Sequence, residues 1–191
     1  MGQRWVWLNG TLTDANRAMV NVADRGFLAG DGVFEAIKVV EGKAFAVTRH
    51  LARLRRSTEV TGLPTPDEAE IRNAIAETVA ANTAEHGGSA RVRVTLTAGV
   101  GSGIHRIAGN STLLVTVEPL PPMAAAAKVG RSPWPRNDRS ATAGAKTTSY
   151  AENAVILAHA RRSGFDEAIL SDTRGRLSEG TTCNVLVAHE G

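Results

Sequence analysis

The segment RVRVTLTAGVGSGIHRIAGNSTLLVTVEPL, residues 91–120, holds the two clearest strands of this 191-residue chain. In its first part, RVRVTLT (91–97), polar and apolar side chains alternate strictly, which predicts a strand with one buried and one open face. Its last part, TLLVTVEPL (112–120), is more continuously apolar and predicts a strand near the centre of a sheet. A β-sheet therefore forms the predicted core of the chain.

Hairpins and helices are predicted on both sides of these strands. Asn9-Gly10 is a two-residue turn that predicts a β-hairpin over residues 5–14. Residues 65–82 carry a helix start signal, with Thr65 as N-cap, a proline at the first helical position and Glu68 completing a capping box. The remaining predictions are strands at 33–40, 128–132, 167–172 and 184–188 and helices at 48–62 and 149–163. Because hairpins accompany the strands and helices, we expect an α+β fold.

A proline-rich stretch divides the chain into two predicted domains. Residues 118–127 contain three prolines within five positions, which breaks regular structure and is typical of a linker. The predicted domains are therefore residues 1–117 and 128–191. The second is short for an independent hydrophobic core, so we expect it to be incomplete and the chain to be C-terminally truncated.

Composition excludes several classes of protein. The net charge of +3 is mild, the positive charges are scattered and only 4% of residues are aromatic, so we expect no nucleic-acid partner. The single cysteine, Cys183, rules out a disulfide framework and fits a reducing cytoplasm. No apolar run reaches the roughly 18 residues of a membrane span. Metal-site signatures are also absent from the sequence, and no metal is expected.

The segment AGAKTTSYAEN, residues 143–153, holds the most informative single residue. Lys146 stands among Ala, Gly and Thr, with no acidic residue within five positions. Small neighbours allow a ligand to approach closely, and an ammonium that is easily dehydrated favours a nucleophilic amine. An isolated surface lysine is the alternative, so other residues must decide between the two.

Two further groups fit a lysine nucleophile. Glu179 lies in SEGTT, which we interpret as a loop before a strand, and a buried glutamate requires a cationic partner. His105 and Arg106 follow the glycine-rich loop GVGSG and are candidates to bind a carboxylate, with two exposed loop side chains as the alternative. A lysine that bonds to an aldehyde, a carboxylate for a ring nitrogen and an arginine for a phosphate together describe a pyridoxal phosphate site.

Four segments resemble, in order and spacing, the class IV (fold-type IV) pyridoxal-phosphate enzymes. The segments are DRGFLAGDGVFEAIKVVEGKAF, HLARLRRS, AGAKTTSYAEN and GFDEAILSDTRGRLSEGTTCNVLV. The resemblance implies that Arg53 contacts the cofactor phosphate and that Lys146 bonds covalently to the cofactor. It further implies that Tyr150 lies near the phenolic oxygen, that Glu179 faces the pyridine nitrogen and that Asn184 belongs to the cofactor site.

The same resemblance carries expectations about fold and assembly. It implies a small N-terminal α/β sandwich domain and an incomplete C-terminal domain that is a β-rich pseudo-barrel. Family members are homodimers with active sites near the subunit interface, so a homodimer is expected. Because family members continue past residue 191, we expect weak cofactor binding and little activity from this chain, and a non-catalytic fragment is one alternative.

Within the family, two activities are compatible with the sequence. The pattern from Arg136 to Asn153 is most similar to bacterial aminodeoxychorismate lyases, which implies release of pyruvate from 4-amino-4-deoxychorismate to give 4-aminobenzoate for folate. Glu35, which follows Gly-Val-Phe, is instead aminotransferase-like. The alternative is therefore an aminotransferase for branched-chain or D-amino acids, with Lys146 as base in either case.

Overall fold

The computed structural model describes residues 4–82 and 89–190, and the chain forms two compact units. Unit 1 comprises Met1–Pro121 together with Gly144–Ser149, and unit 2 comprises Pro122–Ala143 together with Tyr150–Gly191. The short segment that carries Lys146 thus belongs to the first unit, although it follows the predicted linker. In the described part of the chain, no helix is long and apolar enough to cross a membrane.

Unit 1 is built on an antiparallel sheet. Its strands are β1 (Trp5–Leu8), β2 (Thr11–Asp14), β3 (Gly32–Val40), β4 (Lys43–Ala44), β5 (Ser89–Thr97) and β8 (Thr112–Pro119), and a small hairpin pairs β6 (Gly101–Ser102) with β7 (His105–Arg106). The sheet order is β2-β1-β8-β5-β3-β4. This order confirms the predicted N-terminal hairpin and the interior position of the strand that begins at residue 112.

In the described part of unit 1, three helices accompany this sheet: α1 (Arg25–Ala29), α2 (Val47–Thr61) and α3 (Glu68–Ala81). Leu51 and Leu54 of α2 and Ile75 of α3 join the alternating valines of β3 and β5 in one core. Burial of apolar surface contributes about 25 cal/mol per Å² to the free energy of folding. It is the main force that stabilises a sheet packed against helices.

The predicted start of α3 was wrong by two residues. The helix begins at Glu68, and its N-cap is Asp67, whose carboxylate accepts a hydrogen bond from the amide of Ala69. The hydroxyl of Thr65, the predicted cap, instead lies 2.9 Å from the hydroxyl of Thr58. An aspartate is the stronger N-cap of the two, and the threonine is engaged elsewhere.

Unit 2 contains a smaller, mixed sheet. Its strands are β9 (Val129–Arg131), β10 (Glu167–Ser171) and β11 (Leu177–Gly180), in the order β11-β10-β9, and α4 spans Ala151–Arg162. β9 runs parallel to β10, and β11 runs antiparallel to it. Ile156 and Ala160 of α4 pack with Ala168 and Leu170 of β10 in a second, smaller core.

The predicted strand at residues 184–188 was wrong, and so was the loop predicted around Glu179. Glu179 lies within β11, whereas residues 184–190 have no regular structure. Leu186, an apolar residue in the centre of the predicted strand, is 97% exposed. An apolar run becomes a strand only where a neighbouring strand receives its backbone hydrogen bonds, and none of the described residues pairs with this segment.

Candidate functional site

The segment around Lys146 is fixed to the first half of β3. The amide of Phe34 donates to the carbonyl of Lys146 at 2.9 Å, and the amide of Thr148 donates to the carbonyl of Gly32 at 2.8 Å. These bonds form an antiparallel bridge between Val33 and Thr147. The backbone of the candidate nucleophile is therefore held by a strand of the main sheet.

A second attachment joins the same segment to α2. The amide of Lys146 donates to Oγ of Ser57 at 3.0 Å, and Ser57 is buried. Ser57 lies four positions after Arg53, so both side chains project from the same face of the helix. Lys146 is thereby brought to the side of α2 that carries the predicted phosphate-binding arginine.

The side chain of Lys146 lies against an aromatic ring. Its Nζ is 4.4 Å from the ring centroid of Phe34, and Cζ of Arg93 lies 3.7 Å from the same centroid. Both distances are typical of cation–π contacts. Phe34 is buried, so the ring gives the lysine side chain a fixed surface to rest on.

Arg53 forms a two-pronged ion pair with Glu35. Its Nε donates to Oε1 at 2.7 Å and its Nη2 to Oε2 at 2.6 Å. Nδ1 of His50 lies 2.7 Å from the same Oε2, which as a carboxylate oxygen can only accept a hydrogen bond. Glu35, the residue that is aminotransferase-like in the sequence, is thus a fully buried carboxylate. It is bound to Arg53, the arginine predicted to contact the cofactor phosphate.

The predicted substrate ligands His105 and Arg106 both lie on β7 and are exposed. Arg106 pairs with Asp31 through Nη2 at 2.6 Å and Nε at 2.9 Å, and its Nη1 donates to the carbonyl of Gly62 at 2.9 Å. The hydrogen bond from Arg106, together with a further one from Arg25, lowers the pKa of Asp31 despite partial burial. Arg106 therefore connects the start of β3 to the end of α2.

In unit 2, Glu179 forms an ion pair with an arginine that sequence reasoning gave no role. Nε of Arg136 lies 3.1 Å and Nη2 lies 3.0 Å from Oε1 of Glu179. Nη1 of the same arginine donates to Glu152 at 3.2 Å and to Asn153 at 3.4 Å in α4. Arg136 is the first residue of the sequence pattern that ends at Asn153. This position was the one signal in the sequence that could have identified it as a site residue.

The turn after Glu179 is held by a second carboxylate. Glu167 accepts hydrogen bonds from the amide of Thr181 at 3.1 Å and from the hydroxyls of Thr181 and Thr182. Burial raises the pKa of Glu167, but the hydrogen bonds from Thr181, from its own strand and from Thr182 outweigh it, so the pKa is lowered. The buried amide of Asn153 also donates to the carbonyl of Thr181 at 2.6 Å.

The two remaining predicted residues also belong to unit 2. Tyr150 is the N-cap residue of α4, and its carbonyl accepts a hydrogen bond from the amide of Ala154 at 3.0 Å. Asn184 is exposed and lies in the irregular chain after β11. Neither position bears on the cofactor roles that the resemblance implies, and both roles stay predictions.

The chemistry of these groups matches the predicted cofactor. Lys146 supplies an amine whose backbone is fixed by a strand and a helix, which suits bonding to an aldehyde. Arg53 supplies a planar guanidinium, which suits a phosphate, and Glu179 supplies a carboxylate held by an arginine, which suits a protonated ring nitrogen. Each of these residue types therefore suits one group of pyridoxal phosphate, with Lys146 and Arg53 in unit 1 and Glu179 in unit 2.

Comparison with known sequences gives one family and several relatives. Residues 32–191 match the amino-transferase class IV family. The chain is 31% identical to a putative branched-chain-amino-acid aminotransferase of Methanocaldococcus jannaschii and 30% identical to a bifunctional aminodeoxychorismate lyase / D-amino acid transaminase of Mycobacterium tuberculosis. Each alignment covers 97% of this chain and 66% of the relative, so the chain spans less than two thirds of the relatives' length.

Solved structures confirm the fold. A fold IV transaminase from Curtobacterium pusillum superposes with a TM-score of 0.84 at 31% identity, over 94% of this chain and 62% of the other. A hypothetical aminotransferase from Mycobacterium tuberculosis in a PLP-bound form gives a TM-score of 0.80 at 28% identity, over 93% and 65%. The predicted fold-type IV architecture of mixed α and β structure is thus confirmed.

Proposed function

The chain belongs to the amino-transferase class IV family, and we propose that it acts as a pyridoxal-phosphate-dependent aminotransferase that moves an amino group from an amino acid to a 2-oxo acid. The observation that carries this proposal is the double attachment of Lys146, to β3 and to the buried hydroxyl of Ser57. A lysine fixed in this way suits repeated proton transfer at one place, whereas a surface lysine gains nothing from such anchoring.

Each predicted residue has a defined task in this proposal. Pyridoxal phosphate, when bound, supplies an electron-withdrawing ring that stabilises negative charge on a carbon of the substrate. Lys146 would hold the cofactor through its Nζ, and the same amine would serve as the base that takes the proton from the substrate α-carbon. Arg53 binds the phosphate, and Tyr150 and Asn184 complete the set of residues that orient the ring.

Glu179 and Arg136 act together in holding a proton. The Glu179 carboxylate supplies the negative charge that keeps a proton on the pyridine nitrogen, and Arg136 holds this carboxylate by two contacts of 3.0 and 3.1 Å. Because an arginine and a carboxylate form directional hydrogen bonds, the pair restricts where the carboxylate points. Arg136 is therefore a positioning residue in this proposal.

His105 and Arg106 are the proposed ligands of a substrate carboxylate. The contacts of Arg106 with Asp31 mean that a substrate carboxylate has to share this guanidinium with an acid already bound to it. His105 is exposed in the same short hairpin and adds a second donor. The substrate class that follows from these residues is an amino acid with a free carboxylate.

A lyase acting on 4-amino-4-deoxychorismate is the second candidate function. The similarity to a bifunctional lyase and transaminase of Mycobacterium tuberculosis favours it, and the same Lys146 serves as base in both reactions. The aminotransferase has the broader support, because the relatives reported above are named as transaminases in each case and only one of them also as a lyase. The two activities differ in the shape of the substrate and in the release of pyruvate.

A homodimer is the proposed assembly. Phe27 and Leu28 of α1 are 77% and 63% exposed, and Ile104 in the β6–β7 turn is 83% exposed. Arg25, at the start of α1, donates a hydrogen bond to the carbonyl of Gly103, which joins α1 to this turn. We take these exposed apolar side chains, on two connected segments, as the candidate subunit interface. Light scattering after size exclusion should give a dimer for the wild type and a smaller particle for Phe27→Ser.

Activity assays separate these functions. The chain, supplied with excess pyridoxal phosphate, should form a new 2-oxo acid at a low rate from a panel of L- and D-amino acids with 2-oxoglutarate as acceptor, and Lys146→Ala should abolish this. Pyruvate release from 4-amino-4-deoxychorismate without an amino acceptor would identify the lyase instead. A chain in which Lys146→Ala changes neither assay nor cofactor binding would refute both and support a non-catalytic fragment.

A further inference from the structure

Glu35 is a carboxylate with no exposure to solvent. It lies on β3, its side chain is 0% exposed, and burying a charged carboxylate is costly unless cations and hydrogen-bond donors surround it. Arg53 and His50, both on α2, supply those donors at 2.6 to 2.7 Å. A glutamate at this position therefore requires a specific arrangement of two side chains of the helix.

The arrangement fixes the orientation of the Arg53 guanidinium. Glu35 receives one N–H from Nε and one from Nη2, which are two of the five that a guanidinium carries. Two parallel hydrogen bonds define both the position and the plane of the group. The Arg53 side chain as a whole is 39% exposed, whereas its partner Glu35 is fully buried.

The Glu35–Arg53 pair lies next to the residues that hold the backbone of Lys146. Phe34, the residue before Glu35, donates its amide hydrogen to the carbonyl of Lys146. The ring of Phe34 also contacts the ammonium of Lys146. Ser57, one turn after Arg53, accepts the amide hydrogen of Lys146. The carboxylate thus sits in the part of unit 1 where the strand and the helix hold the candidate nucleophile.

We propose that Glu35 is a positioning residue that gives this chain its preference for phosphorylated over unphosphorylated pyridoxal, by holding the Arg53 guanidinium in a fixed orientation. This inference rests on the proposed function, in which Arg53 binds the cofactor phosphate. An arginine that is ordered before the ligand arrives loses less conformational entropy on binding. Its affinity for the group that it contacts is therefore higher. Glu35 itself touches neither the cofactor nor the substrate in this account.

The test compares the affinities of two ligands in one set of proteins. Pyridoxal phosphate and pyridoxal share the aldehyde that bonds to Lys146 and differ in the phosphate, so the ratio of their dissociation constants isolates the phosphate contact. The ratio is measured by absorbance and tryptophan fluorescence titration for the wild type, Glu35→Gln, Arg53→Ala and the double variant. Circular dichroism confirms that each protein is folded.

The expected result is a change in the ratio in each single variant and no added change in the double variant. Glu35→Gln should reduce the preference for the phosphorylated ligand by about tenfold or more, the scale of one charge-assisted hydrogen bond. Arg53→Ala should remove most of the preference. In the Arg53→Ala background, Glu35→Gln should leave the ratio unchanged, because Glu35 acts only through Arg53.

The outcomes that overturn the inference differ from those that overturn the proposed function. If Arg53→Ala removes the preference but Glu35→Gln weakens both ligands in equal proportion, Glu35 has a structural role only and the inference is wrong. A wild type that binds both ligands equally, or neither, refutes the phosphate contact of Arg53 and the inference with it.

A second variant keeps the inference testable if Glu35→Gln fails to fold. Arg53→Lys keeps a positive charge beside Glu35 but lacks the planar two-pronged contact, so its ratio should fall close to that of Arg53→Ala. A wild-type ratio in Arg53→Lys would show that charge alone suffices, and the inference would then be wrong.

Discussion

Removal of the Ser57 hydroxyl should loosen the segment that carries Lys146. In Ser57→Ala the amide of Lys146 loses its 3.0 Å acceptor, and the buried position of residue 57 leaves little room for water to replace it. A donor left without its partner inside a protein costs about 1–3 kcal/mol. Because Lys146 is only half-buried, we expect the lower part of this range, about 1–2 kcal/mol.

Two measurements check this expectation. Urea unfolding should give a lower midpoint with an unchanged slope, which reports lost stability without a change in the surface exposed on unfolding. Amide hydrogen exchange should show faster exchange at Lys146, because local opening of its segment needs less free energy.

Thr61→Val is the matched control on the same helix. The hydroxyl of Thr61 donates to the carbonyl of Ser57 at 2.8 Å, which is a bond within α2. Its loss should cost less than about 0.5 kcal/mol. If Ser57→Ala and Thr61→Val were equally stable and Lys146 exchanged at the wild-type rate, the anchoring of the lysine segment by α2 would be refuted.

Three other substitutions test separate parts of the molecule. Arg136→Gln should weaken pyridoxal phosphate binding about tenfold by releasing Glu179, and an unchanged dissociation constant would contradict the positioning role. The hydrogen bond from Arg106 lowers the pKa of Asp31, so its stabilisation is complete above the ordinary value of 3.8 and is lost as pH falls through the folded value. Asp31→Asn should therefore destabilise the protein at pH 7 and make acid unfolding less steep, and a wild-type acid curve would argue against the pair. Gly99 has a φ of +67°, and the Cβ of Gly99→Ala would overlap the backbone carbonyl of Asn110, so the change should cost more than about 2 kcal/mol in thermal unfolding; a wild-type melting curve would contradict this.

Local patterns were sufficient for most of the first unit. Strict alternation in residues 91–97 predicted the buried face of β5, where Val92, Val94 and Leu96 are at most 2% exposed. The Asn9-Gly10 turn adopts the positive φ angles, 46° and 91°, that this dipeptide favours. These signals are strong because side-chain period and turn geometry depend on a few adjacent residues.

Other features depended on partners that are distant in sequence. The apolar residues 184–188 are typical of a strand, but the pairing strand that such a run needs is not among the described residues. Similarly, Thr65 was predicted as the cap of α3, but its hydroxyl lies beside that of Thr58, and Asp67 caps the helix instead. Sequence patterns carry no information about which donor or acceptor is already occupied in this way.

The same distinction applies to the candidate site. Lys146 and Glu179 were singled out from their neighbours in sequence, and both stay predictions as cofactor residues. The partners Arg136 and Ser57 were missed, because they lie 43 and 89 positions from the residues that they hold. The part of the site that orients the functional groups therefore required the structure.

Reductive labelling tests the central claim, that Lys146 is the cofactor lysine. The chain is incubated with pyridoxal phosphate, reduced with borohydride and digested, and the labelled peptide is identified by mass spectrometry. We expect one label, on the peptide that contains Lys146, which disappears in Lys146→Arg and persists in Lys128→Arg. Lys128 is a fair control because its ammonium also lies near an aromatic ring, 5.2 Å from that of Phe165. No label, or labels of similar intensity on several lysines that survive Lys146→Arg, would contradict the account.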